Sequence, residues 1–140
     1  MKTVKQLSFT VLLLLLMTSV AIAQEEASQA ILQGPTVVYN AQFPVTVEGR
    51  EYEMQTIIMD FQHGAGVPDH MHGGPVLVTV LDGEMTLMEK NINRFVRVGE
   101  SWTENTFDIH SVVNSGKTTA RVVVNILLPK GAEATTIIKK

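Results

Sequence analysis

Four histidines, His63, His70, His72 and His110, stand between residues 63 and 110, and they are the side chains of this sequence best suited to chemistry. An imidazole can hold a metal ion, carry a proton, or sit satisfied in a core or loop. His70 and His72 are two residues apart, so on a strand both rings leave by one face. His110 and Asn114 are four apart, again one face of a strand. Inside a barrel such pairs converge, and a third histidine from another strand would complete a facial set of nitrogen donors. On spacing alone, a metal site and a chance pair of satisfied loop histidines stand about level. The 140-residue chain has no cysteine. Disulfides, thiolate ligands, a thiol nucleophile and a cysteine-linked lipid anchor are therefore excluded.

The elements that must position these histidines read as strands. β-branched runs at 36–39, 43–47, 52–61, 76–81, 84–89, 94–98 and 120–128 are short and evenly spaced, with glycine and asparagine between them. Val122, Val124, Ile126 and Leu128 alternate onto one face, and Arg121 and Asn125 fall on the other. Asp82-Gly83 predicts a tight hairpin between its flanking runs. No stretch after the leader carries a 3.6-residue apolar stripe. The reading is an all-β sandwich or barrel, large enough to bury a core without covalent staples. A hydrophobic fraction of 45% and a charged fraction of 18% fit a globular domain and exclude disorder. A net charge of -3 leaves no basic footprint for nucleic acid.

Residues 1–23 read as a signal peptide. Lys2 and Lys5 precede a leucine-dominated run, and Ala21-Ile22-Ala23 offers small residues where a signal peptidase needs them. The run is about 12 to 15 residues, short of the roughly 20 that span a bilayer. Cleavage after Ala23 is expected, with no membrane association afterwards and a secreted or periplasmic destination. No twin arginine precedes the run, so any metal would be loaded outside the cytoplasm. Residues 24–35 read as a flexible N-terminal arm and 36–140 as the barrel domain.

The residues around the histidines carry a family pattern. Gly64, five residues, His70-Met71-His72, three residues, position 76, then six residues to Gly83 follow one motif. Gly99, position 105, position 107, His110 and Asn114 follow a second. The chain resembles a small single-domain cupin over most of its length after the leader. Seven of the ten motif positions match: Gly64, His70, His72, Gly83, Gly99, His110 and Asn114. Three depart. The glutamate of the first motif falls on Val76, and a shift by one reaches only Leu77. Asn105 stands where the second motif has proline, and Phe107 where it has glycine, which puts the turn before His110 in question.

The resemblance implies a double-stranded β-helix, or jelly-roll, barrel with His70, His72 and His110 as metal ligands. It resembles the three-histidine cupins, among them thiol and diketone dioxygenases, that work without the glutamate. Three neutral imidazoles would leave a divalent ion its full +2 charge and favour an anionic small-molecule substrate. Iron(II) suits an oxygenase, while zinc, nickel, copper and manganese also suit three nitrogens with open positions. Loading after export would favour copper, nickel and zinc. The expected function is a mononuclear metal-dependent dioxygenase. The alternative is a barrel that binds a small ligand or metal without catalysis. Asn114, Val76 and His63 are the candidates for groups behind the ligands or facing substrate, with His63 as readily an exposed loop residue. Met85 and Leu87 read as core, and Trp102 as packing at the barrel rim. Glu84 and Glu104 could serve as acids, though nothing in the sequence places them at the mouth. Edge-to-edge pairing into a homodimer is expected, with 36–47 or the tail 135–140 as the exchanged strand.

Overall fold

The computed structural model describes residues 33–90 and 92–139. The leader and most of the arm lie outside the described residues. Among the described residues ten strands run in chain order: β1 (Thr36–Val47), β2 (Arg50–Phe61), β3 (Gly66–Met71), β4 (Val76–Asp82), β5 (Glu84–Glu89), β6 (Ile92–Arg97), β7 (Ser101–Glu104), β8 (His110–Val113), β9 (Ala120–Pro129) and β10 (Thr136–Ile137). They form two five-stranded sheets, ordered β1-β2-β9-β4-β7 and β10-β3-β8-β5-β6. Every pairing is antiparallel.

The core lies between the two sheets, because alternating residues of both turn inward. Val122, Val124, Ile126 and Leu128 on β9 and Val76, Val78 and Val80 on β4 are buried. They join Met85, Leu87, Val96 and Val112 of the other sheet in one apolar cluster. The period-two face expected of β9 and the core placement of Met85 both hold.

The hairpin expected at Asp82-Gly83 does not form. β4 pairs with β7 and β9, whereas β5 pairs with β6 and β8. The dipeptide is instead the corner at which the chain leaves one sheet for the other. The Gly83 N–H donates to Asp82 Oδ1 at 2.8 Å. Gly83 holds a φ of 71°, and a Cβ there would lie 2.8 Å from the Cα of Ala120. Both facts demand glycine. The tight hairpin joins β1 to β2 instead, through Glu48 and Gly49 with φ values of 49° and 76°, the pair of left-handed residues that a type I′ turn requires.

The turn before His110 survives its two substitutions. Phe107 occupies the left-handed region at φ 65° in place of the family's glycine. Its N–H donates to the His72 carbonyl at 3.0 Å, and Asn105 Nδ2 donates to Asp108 Oδ2 at 3.1 Å. A bulky residue at positive φ is strained by about 1–2 kcal/mol, and this ring is mostly exposed, so it recovers little by packing. Phe107→Gly is expected to raise stability by about 1 kcal/mol after the entropy of the added glycine is subtracted. Urea denaturation of the two proteins checks it.

Candidate metal centre

β3 and β8 bring the histidines together. His70 and His110 are direct cross-strand partners, and a bulge between Val67 and His70 sets that register. His72 follows one residue after the end of β3. The ring centroids are 4.2 Å apart for His70–His110, 4.9 Å for His70–His72 and 5.3 Å for His72–His110. All three side chains are buried, and one nitrogen of each lies within 4.8 Å of the others.

Each ring is held from behind by the backbone. His70 Nδ1 lies 2.8 Å from the Pro68 carbonyl, His72 Nδ1 2.8 Å from the Ala134 carbonyl, and His110 Nδ1 3.0 Å from the Asp108 carbonyl. A carbonyl can only accept, so each Nδ1 carries the proton. A neutral ring so held turns a bare Nε2 lone pair inward, the arrangement that orients a metal ligand. Burial, with the neighbouring His110, pushes the His70 pKa down to about 4, so that ring stays neutral at physiological pH.

The C-terminal tail supplies one of these supports. β10 pairs with β3 opposite Met71 and His70, Gly73 N–H donates to the Glu133 carbonyl at 3.1 Å, and Thr135 Oγ1 lies 3.2 Å from His72 Nδ1. The backbones pack so closely here that a Cβ on Gly73 would fall 2.4 Å from the Glu133 carbonyl oxygen. The tail, one of the two segments named for strand exchange, pairs here with β3 of the same chain.

A carboxylate stands in the site as well. Glu104 on β7 is buried, with Oε2 3.0 Å from His72 Nε2 and Oε1 3.1 Å from His110 Nε2. Trp102 Nε1–H donates to Oε1 at 2.7 Å. The His110 contact is at ion-pair distance but off the hydrogen-bonding line, so His110 Nε2 is a buried polar atom with no hydrogen-bond partner. Burial alone would raise the Glu104 pKa, yet the two imidazoles and the indole hold it well below the usual carboxylate range. For His110 burial works downward, and the carboxylate outweighs it and raises the pKa. Ring nitrogens this close to a carboxylate call for a cation between them, a ring proton or a metal ion. The three converging nitrogens fit a divalent ion in a buried pocket, with the Glu104 carboxylate beside two of them.

Glu104 is an acid that the sequence did not place beside the three histidines. Val76 is buried in the core wall, and its cross-strand neighbour on β7 is Glu104. Opposed residues point to the same face, so the acid stands one strand away from the place where the family motif carries it. Trp102 is correspondingly an inner-wall residue bonded to the site, not rim packing. The signal in the sequence was the two-residue step from Trp102 to Glu104, which puts both on one face of a strand. Glu84 lies elsewhere, with Arg97 Nε 3.9 Å from its carboxylate.

The other two candidates fall outside the site. Asn114 is fully buried, but its amide serves the backbone: Nδ2 donates to the Phe61 and Thr118 carbonyls at 2.8 and 2.7 Å, and Oδ1 accepts the Gly116 N–H at 2.9 Å. It fastens a loop and does not orient a histidine. Asn114→Ala strands two carbonyls and an N–H, and is expected to lower unfolding stability by about 3 kcal/mol, readable in a denaturant titration. His63 is exposed, its Nδ1–H donating to the Gly116 carbonyl. It is a loop residue and is not one of the three converging rings.

A cavity of about 230 Å³ opens beside His70, His72 and Glu104. Its remaining wall is mainly apolar, with Ile57, Met59, Phe61 and Val124 among the lining residues and Gln55 and Thr135 as polar exceptions. The volume is below the roughly 300–1,000 Å³ of drug-sized pockets, so the site suits a small ligand.

Comparison with known proteins agrees with this architecture. The family described as the Cupin domain matches residues 57–126, half of the chain. This protein belongs to the cupin family, on a double-stranded β-helix fold. Solved structures similar to it include a cupin superfamily protein from Desulfitobacterium hafniense, at 16% identity and TM-score 0.50, covering 66% of this chain and 81% of that one. A conserved protein with a double-stranded β-helix domain from Klebsiella pneumoniae subsp. pneumoniae matches at 17% identity and TM-score 0.54, covering 81% and 95%. An oxalate oxidase in complex with the substrate analogue glycolate matches at 22% identity and TM-score 0.51, covering 71% of this chain and 55% of that one. At these identities the likeness carries the fold. No curated protein matches the chain in sequence.

Proposed function

We propose that this cupin is an exported, mononuclear metal-dependent oxygenase acting on a small organic substrate with an anionic donor group. The observation that carries the reading is the convergence of three imidazoles, each fixed by a carbonyl behind its ring, two of which, His70 and His72, line a small apolar cavity. His70, His72 and His110 would hold a divalent ion, which when bound supplies Lewis acidity and, if it is iron, redox chemistry. The apolar wall excludes water and packs the carbon skeleton of the substrate. The Trp102 indole fixes the carboxylate of Glu104. With Glu104 beside it, a divalent ion is left with a net charge near +1, still attractive to a single anionic group. Export rests on the basic, apolar and small-residue succession of residues 1–23.

The test is anaerobic loading with iron(II), then admission of O₂ with a panel of diketones, thiols and phenolic acids. Substrate-dependent O₂ consumption with at least one of them is the expected result. A protein that holds one ion per chain yet consumes no O₂ with any of them is the non-catalytic binding module. One observation favours that second reading. Apart from His70, His72 and Glu104, no titratable side chain lines the cavity among the described residues, so no separate proton carrier is at hand.

A further inference from the structure

We infer that Glu104 is itself a metal ligand: β7 supplies the carboxylate that Val76 on the adjacent β4 lacks, and the centre is a three-histidine, one-carboxylate set drawn from β3 and the residue that follows it, β7 and β8. This rests on the metal centre proposed above. The register carries the argument. Val76 pairs with Glu104 on one side and Ile126 on the other, so these residues form one row across the inner face of the sheet. Moving an acid one place along that row keeps it at the same depth in the barrel. Its two oxygens then lie 3.0 and 3.1 Å from the Nε2 atoms of His72 and His110.

A purely structural ion pair accounts less well for the arrangement. A buried carboxylate needs donors for its lone pairs. Glu104 has one committed donor, the Trp102 indole. In their neutral forms His72 and His110 commit their one ring proton to carbonyls on the far side, and His110 Nε2 makes no hydrogen bond. A shared cation satisfies all of these atoms at once. It also has a chemical consequence. A hard oxygen donor makes the site more hospitable to manganese(II) and iron(II) than three imidazoles alone.

The experiment is calorimetric titration of the full chain with manganese(II) and zinc(II), for wild type, Glu104→Gln and His70→Ala. Wild type is expected to bind one ion. Glu104→Gln is expected to weaken manganese at least about tenfold and zinc by less. Equal affinity in wild type and Glu104→Gln, with His70→Ala defective, overturns the role of Glu104 and leaves the histidine centre standing. Absence of binding by wild type overturns the centre itself. A second readout needs no variant. Trp102 is the chain's one tryptophan, and its N–H bonds the very carboxylate in question. Diamagnetic zinc is expected to shift its emission with a one-to-one endpoint, and unchanged emission at saturating zinc contradicts the inference.

Discussion

Replacing His70 by alanine is expected to weaken divalent metal binding by about 10²–10³-fold. The magnitude follows from sharing the roughly 10–16 kcal/mol of a four-ligand zinc site among its ligands, about 3–4 kcal/mol each. His70 is the member of the triad closest to both others, with centroids 4.2 and 4.9 Å away. Its loss leaves His72 and His110, 5.3 Å apart, without the ring between them. Competition against a fluorescent zinc chelator measures the effect. His63→Ala is the internal control, because that ring is exposed and bonded to a loop carbonyl. It should bind zinc as wild type does. Equal losses in the two variants would contradict the assignment of the centre.

Removing residues 133–140 is expected to weaken the same binding by up to about 100-fold while the barrel stays folded. The tail contributes no ligand. It supplies the Ala134 carbonyl that fixes His72, the β10 strand opposite His70, and the Glu133 carbonyl that anchors Gly73. Loss of such a support behind a ligating histidine lowers metal affinity by about 10–100-fold, and here the His72 ring loses its Ala134 carbonyl while the backbone at His70 loses its β10 neighbour. The main apolar cluster between the sheets draws only on Ala134 from this segment, at its edge. Far-UV circular dichroism and a cooperative melt should therefore persist. Metal affinity within twofold of wild type would show that the tail covers the site without shaping it.

What was legible in the sequence followed from periodicity and spacing. The alternation in β9 gave its buried face, and the His-x-His pair with a distant third histidine gave the donors. What was not legible depended on which strand lies beside which. Asp82-Gly83 has the local chemistry of a hairpin, but β4 is claimed by β7 and β9, so the same two residues make a corner between sheets. Glu104 was visible as an acid and invisible as part of the site, because only the β4–β7 register sets it beside Val76. Asn114 matched a motif position, and the motif alone does not say whether its amide faces a ligand or the backbone. Its three bonds answer that. At Phe107 the fold imposes a left-handed turn on a residue that resists it, so the family's backbone geometry outlasts the family's glycine.

The most direct measurement is anomalous diffraction from crystals of the full chain grown with zinc(II). The account predicts one peak per chain, inside the barrel, at coordination distance of about 2.0–2.1 Å from the Nε2 atoms of His70, His72 and His110. A barrel with no peak between those three rings, or with zinc held only at surface side chains, would contradict it.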